Sequence, residues 1–253
     1  MSEALPEPIP AATLILMRAC AGRPPEILIM ERAQTMAFAA GALVFPGGRI
    51  EEDDHASAAR VAPHLSDGAA RIAAIRETIE ETGIAAALHP PPDDATLAAL
   101  RTRLAANRPF ADLLAEHGLA LDPEALTPFA RWCPNFRETR RFDTLFYLAE
   151  APPGANLATA DRTEAARAFW ASAADVLADL DAGRGHAIFP TRRNLERLAT
   201  FASLDEARAD ASRFPVRKIT PWVEERDGRR FVCIPADAGY PVTEEPFETA
   251  RRS

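Results

Sequence analysis

The order of apolar and polar residues divides the chain into predicted strands and helices. Residues 12–19 and 26–31 are apolar runs separated by a turn that contains glycine and two prolines, which predicts two joined strands. Residues 43–45 predict a short strand that leads into a turn at Pro46-Gly47-Gly48. Residues 1–10 predict a loose arm, because its three prolines oppose helix formation and strand pairing.

The rest of the chain mixes strands and helices. Apolar and β-forming residues predict strands at residues 129–133, 142–149 and 164–170, and two more around a turn at residues 226–228. Helices are predicted at residues 93–106, 109–117, 172–180, 191–201 and 203–212, with Ser172 and Thr191 as N-caps. Because strands and helices do not alternate as in βαβ repeats, the pattern predicts an α+β fold or a layered α/β/α arrangement.

Residues 70–84 (ARIAAIRETIEETGI) are the most informative segment of the chain. At about 100° per residue a helix places three isoleucines on one face, and these are Ile72, Ile75 and Ile79. Glu77, Glu80 and Glu81 then share the opposite face, where carboxylates at this spacing are neighbours. Gly83 is predicted to end the helix as a C-cap.

Three like charges on one helical face destabilise the helix unless something neutralises them. A divalent cation such as Mg²⁺ does so, because it prefers carboxylate oxygens as ligands. The alternative is a solvated glutamate face on which Arg76 makes an ordinary surface ion pair, since runs of charge usually face solvent. The helix by itself supports both interpretations equally.

Composition excludes several other classes. A hydrophobic content of 47% with 26% charged residues indicates a globular protein, and a net charge of −8 argues against general nucleic-acid binding. The three cysteines have neither zinc spacing nor the even number of a disulfide framework. Since the chain shows no signal peptide and no apolar run long enough to span a membrane, we expect a cytoplasmic protein with no membrane partner.

The glycine turn and the glutamate helix together resemble the Nudix hydrolase signature. The second half of that signature is present as Arg76-Glu77-Thr78-Ile79-Glu80-Glu81-Thr82-Gly83-Ile84, and the first half as Phe45-Pro46-Gly47-Gly48-Arg49-Ile50-Glu51. Asp54 stands in place of the usual glutamate and precedes Arg76 by 22 positions, so the signature carries an insertion of about 14 residues at 55–69.

A longer resemblance links the chain to the coenzyme A diphosphatase branch of the family. Residues 28–33, Gly41 and the glycine turn are similar to the segment that precedes the signature in that branch, which usually has arginine where this chain has Ala37. An interrupted signature followed by residues 140–144 resembles the peroxisomal coenzyme A diphosphatases and their bacterial relatives. The resemblance implies an α/β/α sandwich around a mixed sheet and one domain over residues 1–253. Its predicted additions are a helical insertion at about 89–125 and a C-terminal extension at about 190–253.

The resemblance also implies a chemistry, which is metal-dependent hydrolysis of a nucleoside diphosphate linked to another group. Mg²⁺ or Mn²⁺ would be held by Glu80 and Glu81, with the Gly47 carbonyl as a further ligand. Glu77 would be either a ligand or the general base. Arg76 would pair with a carboxylate and fix its rotamer.

The remaining candidates each have a structural alternative. Glu164 lies where some relatives place a further ligand or base, and is otherwise a surface glutamate. Arg32 would contact a substrate phosphate or form a surface ion pair, and Arg140 would line the cleft or be solvated. Asp54 would pair with Arg76 or have no role. Gly48, in the turn, is predicted to contact the substrate.

The predicted substrate is coenzyme A or an acyl derivative. The alternatives are NADH, ADP-ribose or a dinucleoside polyphosphate, a Nudix-fold ligand sensor without turnover, or a scaffold with a solvated acidic helix. A sensor tolerates loss of the signature glutamates, and all three are present here. The insertion at 89–125 is expected to cap the cleft or to build a dimer interface, and family habit implies a homodimer.

Overall fold

The computed structural model describes residues 6–35, 39–135, 141–155 and 165–250. Its strands are β1 (Ile9–Cys20), β2 (Arg23–Arg32), β3 (Leu43–Val44), β4 (Gly47–Arg49), β5 (Leu88–His89), β6 (Ala120–Leu121), β7 (Thr127–Trp132), β8 (Phe142–Glu150), β9 (Ala165–Ser172), β10 (Lys218–Ile219), β11 (Trp222–Arg226), β12 (Arg229–Cys233) and β13 (Glu244–Pro246). Its helices are α1 (Glu52–Val61), α2 (Gly68–Thr82), α3 (Asp94–Leu104), α4 (Phe110–Glu116), α5 (Ala173–Asp181), α6 (Phe189–Leu198), α7 (Leu204–Arg213) and α8 (Phe247–Ala250), with a 3-10 turn at Pro123–Ala125.

Strand β1 is the centre of a mixed eight-stranded sheet. It pairs in parallel with β8 along its length, and on its other edge it pairs antiparallel with β4 near its start and with β2 near its end. The sheet runs in the order β10-β7-β8-β1-β2-β3, with β4 attached to β1 and β9 to β2. Two smaller sheets contain β11-β12-β13 and β5-β6.

Both faces of the large sheet are buried, as the alternation of side chains along β1 shows. Ile15 and Met17 pack in a core cluster that also contains residues of α5, α6 and α7. Leu14 and Leu16 point the other way, into a cluster with residues of α2, α3 and α4. Helices therefore cover the two faces of a mixed sheet, and the predicted α/β/α sandwich is confirmed.

One row of residues runs across the sheet from the glycine strand toward the C-terminal part of the chain. Ala11 of β1 lies opposite Arg49 of β4 and opposite Thr144 of β8. Thr144 in turn lies opposite Trp132 of β7, which pairs with Ile219 of β10. The row places β4 and the segment that precedes β11 on the same level of the sheet.

Several local predictions at turns and helix ends are confirmed. Gly83 ends α2 in the left-handed conformation with φ of 68°, as a C-cap requires. Ser172 caps α5, because its Oγ accepts a hydrogen bond of 3.1 Å from the backbone N–H of Asp175. The hairpin β11–β12 turns where it was predicted, at residues 226–228. All three cysteines are free thiols.

Two local predictions were wrong. Ile9 and Pro10 belong to β1 and not to a loose arm; proline is tolerated near the start of a strand, and the Pro10 carbonyl accepts a hydrogen bond from the N–H of Ile50. Helix α6 begins at Phe189, so Thr191 lies inside it, since the proline at position 190 fits the first helical turn, where no N–H is needed. The insertion at 55–69, for which no helix or strand was predicted, contains most of α1, which begins after a capping box at Glu51.

Buried polar contacts fasten the C-terminal segment to the sheet. Trp132 donates through Nε1 to the Tyr240 hydroxyl at 2.9 Å, and that hydroxyl donates to Asn194 Oδ1 at 2.8 Å. Arg193 of α6 donates to Glu245 of β13 at 3.0 Å. In the described ranges no helix is both long and apolar enough to cross a membrane.

We expect Tyr240→Phe to lower the free energy of unfolding by about 2 kcal/mol, because it leaves two buried polar partners, Trp132 and Asn194, without their hydrogen bond. The measurement is urea unfolding followed by fluorescence. Tyr147→Phe is the matched control: its hydroxyl donates only to the half-buried Asp67 carboxylate, so the loss is below about 1 kcal/mol. Equal losses in the two variants would contradict this account.

Candidate functional site

The glycine turn lies directly against helix α2. The Gly47 N–H donates to Glu81 Oε2 at 2.9 Å, although the two residues are 34 positions apart. Glycine is required at position 47, because a Cβ there would lie 2.4 Å from the Ala12 carbonyl oxygen and the backbone φ is +158°. The turn is also tied to the sheet by a 2.9 Å hydrogen bond from the Leu14 N–H to the Pro46 carbonyl.

Gly48 gives the carboxylate of Glu77 room to approach the turn. A Cβ at Gly48 would lie 2.3 Å from Glu77 Oε1 and 2.4 Å from its Cδ. The space next to the backbone of Gly48 therefore holds the Glu77 carboxylate, and any other residue at position 48 would displace it.

Arg76 is the hub of the site. Its NH1 donates to Glu77 Oε1 at 3.0 Å and to Glu80 Oε1 at 3.1 Å. Its Nε and NH2 donate to the two carboxylate oxygens of Asp54 at 3.0 and 2.9 Å, and NH2 also donates to the Arg49 carbonyl at 3.0 Å. One guanidinium thus fixes two of the three signature glutamates relative to the glycine strand.

Asp54 reaches Arg76 across the insertion because of helix α1. It is the third residue of α1, its carboxylate accepts the N–H of Glu51 at 2.8 Å, and its side chain is completely buried. The insertion therefore folds largely as helix α1, whose first turn carries Asp54, and Asp54 forms a bidentate ion pair with Arg76.

Negative charge exceeds positive charge around the hub. Asp54, Glu77, Glu80 and Glu81 carry four carboxylates near the single guanidinium of Arg76, a formal charge of −3 when all are ionised. Burial raises the pKa of Glu80, although Arg76 acts in the opposite direction. Burial opposes the charged form of Arg76, but its hydrogen bonds to Asp54 and the charges of the nearby carboxylates outweigh burial and raise the pKa of the guanidinium.

The signature glutamates do not form a solvated face. Glu81 is only 4% exposed, and the side chains of Glu77 and Glu80 are 13% and 28% exposed. On the opposite side of α2 the three isoleucines are fully buried, as their spacing predicted. The glutamates line a cavity of about 1780 Å³, together with Gly47 and Gly48.

The predicted insertion at 89–125 forms part of the cavity wall. Helix α3 lines it, and Arg101 donates from Nε and NH2 to the Glu80 carbonyl at 3.2 and 3.0 Å. Arg108, just beyond α3, lines the cavity as well. This position in the cavity wall is consistent with an insertion that caps the cleft, which is one of the two roles expected of it.

The structure brings together the predicted site residues that it describes. Arg32, at the end of β2, lines the same cavity as the glutamates and the glycine turn. Arg140, Glu164 and Ala37 lie outside the described residues. Arg141, next to Arg140 in the chain, does line the cavity, and its Nε donates to the Pro134 carbonyl at 3.1 Å.

Sequence reasoning missed three further arginines of the cavity, Arg49, Arg101 and Arg108. Arg49 could have been found, because it directly follows the two glycines of the turn. Arg101 and Arg108 belong to the insertion, and no pattern in the chain links position 101 with position 80; only the packing of α3 on α2 does.

The chemistry of these side chains fits a hard divalent cation, because carboxylate and carbonyl oxygens are its preferred ligands and the cluster has excess negative charge. The absence of a side chain at Gly48 also fits such a cation, because it lets the Glu77 carboxylate lie beside the turn. Within the described part of the chain, no three acidic, histidine or cysteine side chains converge into a ready-made metal cage, since Arg76 and the Gly47 N–H hold the glutamate oxygens.

The chain matches no protein-family model. Among solved structures, it is similar to a NUDIX hydrolase from Alicyclobacillus acidocaldarius, with 29% sequence identity, a TM-score of 0.68, and coverage of 81% of this chain and 97% of that chain. A MutT protein from Methanosarcina mazei Go1 gives 16% identity and a TM-score of 0.43 over 78% of this chain and 97% of that chain. The NUDIX domain of Shewanella oneidensis NrtR, complexed with ADP-ribose, has 14% sequence identity and a TM-score of 0.43, with coverage of 76% of this chain and 86% of that chain.

We expect Asp54→Ala to lower the free energy of unfolding by about 3 kcal/mol, because it removes the bidentate partner of a buried guanidinium. Urea unfolding measures the loss. Asp53→Ala is the matched control, since the neighbouring carboxylate accepts only the Phe110 N–H, and about 1 kcal/mol is expected there. A loss at Asp54 no larger than at Asp53 would show that the ion pair is not a main support of the site.

Proposed function

We propose that this chain, a Nudix hydrolase that acts on pyrophosphate bonds, hydrolyses coenzyme A or an acyl-coenzyme A. The main support is the arrangement around Arg76, which gathers Asp54, Glu77 and Glu80 beside the glycine turn inside one large cavity. Arginines of the same cavity offer guanidinium groups that suit phosphate oxygens. An acidic centre with arginines around it is what cleavage of an anionic diphosphate requires.

Glu77, Glu80 and Glu81, with the carbonyl of Gly47, would hold Mg²⁺ or Mn²⁺. When bound, such an ion neutralises pyrophosphate oxygens and increases the acidity of a water molecule. The excess negative charge of the cluster supports this part of the proposal, because it favours a cation.

Hydrolysis forms a bond between a water oxygen and one phosphorus and breaks the bond from that phosphorus to the bridging oxygen. We assign the proton of the water to a carboxylate of the site, either Glu77 or Glu164. Arg76 is a positioning residue, because it holds Glu77 and Glu80 through one nitrogen. Arg32, Gly48 and Arg140 complete the proposed site as groups that contact the substrate.

Coenzyme A is favoured over other diphosphates by two features. The first is the interrupted signature, whose insertion folds as α1 and returns Asp54 to Arg76. The second is the size of the cavity, about 1780 Å³, against roughly 300–1,000 Å³ for common ligand pockets. NADH, ADP-ribose and dinucleoside polyphosphates are the alternative substrates. A homodimer and a cytoplasmic location belong to the same proposal.

We expect Glu81→Gln to reduce kcat/KM for the best substrate about a hundredfold or more. The glutamine keeps an oxygen that can accept the Gly47 N–H but removes the negative charge. The assay measures hydrolysis of coenzyme A, octanoyl-coenzyme A, NADH, ADP-ribose and a dinucleoside polyphosphate with Mg²⁺ or Mn²⁺. Glu124→Gln, an exposed glutamate that contacts only His64, is the control and should keep full activity.

Two results would count against the proposal. Hydrolysis of another member of the panel with no turnover of either coenzyme A compound would reject the substrate. Full activity of Glu81→Gln would reject the placement of the catalytic centre.

A second prediction concerns the space beside Gly48 that the Glu77 carboxylate occupies. We expect Gly48→Ala to lower kcat/KM about a hundredfold, because its Cβ displaces the Glu77 carboxylate. The melting temperature should change little, since the displaced atoms are the end of a flexible side chain. Gly185→Ala is the matched control: its Cβ would meet the side chains of Leu43 at 3.2 Å and Leu180 at 3.8 Å, and none of these three residues lines the cavity. Equal activities of the two variants would show that the position of the Glu77 carboxylate beside Gly48 does not matter for hydrolysis.

A further inference from the structure

The charges at the C-terminal end of helix α2 oppose its dipole. The last turn of α2 carries two carboxylates, Glu80 and Glu81, and no basic residue. Because the C-terminal end of a helix has a partial negative charge, acidic side chains destabilise the last turn and cations stabilise it. Both glutamates belong to the proposed metal site. A positive charge from another part of the chain would therefore stabilise the backbone that carries them.

The Glu80 carbonyl accepts its hydrogen bonds from another helix. In a longer helix it would accept the N–H of Ile84, four positions further on. Here α2 ends at its C-cap, Gly83, and the Ile84 N–H donates to Thr82 Oγ1 at 3.2 Å. Arg101 of α3 takes that place, because its Nε and NH2 donate to the Glu80 carbonyl oxygen at 3.2 and 3.0 Å. One guanidinium supplies a hydrogen-bonding partner and a positive charge to the end of α2.

Arg101 is held in this position by the packing of its own helix. Leu100 and Leu104, on either side of it in α3, are buried in the same apolar cluster as the isoleucines of α2. Asp93 caps the start of α3 by accepting the N–H of Thr96 at 2.8 Å. The Arg101 guanidinium therefore reaches α2 from a helix whose place is already fixed.

The insertion that contains α3 is also joined to the insertion that contains α1. Arg103 of α3 pairs with Glu116 of α4. The first N–H of α4 donates to Asp53 of α1 at 2.9 Å. The residue after Asp53 is Asp54, the partner of Arg76. Both insertions thus support α2, one through Arg76 and the other through its last turn.

Arg101 lines the cavity, so a direct contact with a substrate phosphate is the alternative role. The geometry disfavours that role. Nε and NH2 form one edge of the guanidinium, and this edge is directed at a backbone oxygen. Bidentate binding of a phosphate uses such an edge. The edge would have to leave the end of α2 before it could bind a phosphate.

We infer that Arg101 is a positioning residue of the site: by holding the last turn of α2 it fixes Glu80 and Glu81, and metal affinity and turnover depend on it. This inference rests on the proposed function, in which both glutamates are metal ligands. It gives the insertion at 89–125 a part in the site beyond covering the cleft. Groups that orient metal ligands commonly contribute a factor of about ten to a hundred to metal affinity or activity.

The first experiment measures the Kd of Mn²⁺ for the full chain by calorimetric titration without substrate. We expect Arg101→Gln to raise this Kd about tenfold or more, because it removes the charge and the paired hydrogen bonds. Arg101→Lys keeps the charge but not the paired geometry, so its Kd should lie between the other two values. Arg103→Gln is the matched control: Arg103 lies on the same helix, pairs with Glu116 and does not line the cavity, so the wild-type Kd is expected.

The second experiment measures hydrolysis at saturating Mg²⁺ with the panel member that the wild type cleaves best. Arg101→Gln should lower kcat about tenfold and leave KM unchanged, whereas loss of a residue that binds the substrate raises KM. In the metal-free chain, the N–H groups of residues 80–83 should exchange with solvent faster in Arg101→Gln than in Arg103→Gln, because the last turn of α2 is released.

Three outcomes would overturn the inference while the proposed function stands. A raised KM with an unchanged Mn²⁺ Kd in Arg101→Gln shows that Arg101 binds the substrate. A tighter Mn²⁺ Kd in Arg101→Gln, with no change in Arg101→Lys, shows that the guanidinium acts only by repelling the cation. An equal loss in Arg103→Gln shows that the stability of α3, and not this contact, is what matters.

Two further outcomes concern the proposed function. Mn²⁺ binding that weakens in the expected order, without hydrolysis of any panel member by the wild type, supports the inference and rejects the proposed function. Absence of Mn²⁺ binding by the wild type overturns both.

Discussion

The buried ion pair between Asp54 and Arg76 is the constraint on which the site depends. A guanidinium that is almost completely buried is stable only when its donors are paired, and all of its nitrogens donate to carboxylate or carbonyl oxygens. Because Asp54 is fixed by the first turn of α1, Arg76 is fixed by the insertion. Arg76 in turn places two glutamates. The insertion is therefore part of the support of the site, although it lies outside the glycine turn and α2.

The two halves of the cavity come from different parts of the chain. All the charged residues that line the cavity lie in the first 141 residues, and the nine lining residues from position 188 onward are uncharged. The row of strands from β4 to β10 brings the two halves to the same end of the sheet. The charged and the uncharged lining are thus separated in the sequence and joined by the sheet.

Prediction from sequence worked where the signal is local. The isoleucine spacing identified α2, and Gly83 and Ser172 marked the ends of helices, since each of these features depends on a few neighbouring residues. It failed at Pro10 and at α6, where a strand partner and the fit of a proline in the first helical turn decided the conformation. It gave no element for α1, which begins after a capping box and is joined to a distant arginine through Asp54.

The sequence by itself determined the carboxylate face of α2, the glycine turn and the resemblance that joins them, because each is a pattern of near neighbours. Only the tertiary structure decided that Asp54 reaches Arg76, that Arg101 holds the Glu80 carbonyl, and that Trp222 and Val223 share a cavity with the glutamates. These contacts join residues that are 21 or more positions apart. Their distances are set by how helices pack on the sheet and by strand register, which no single segment of sequence contains.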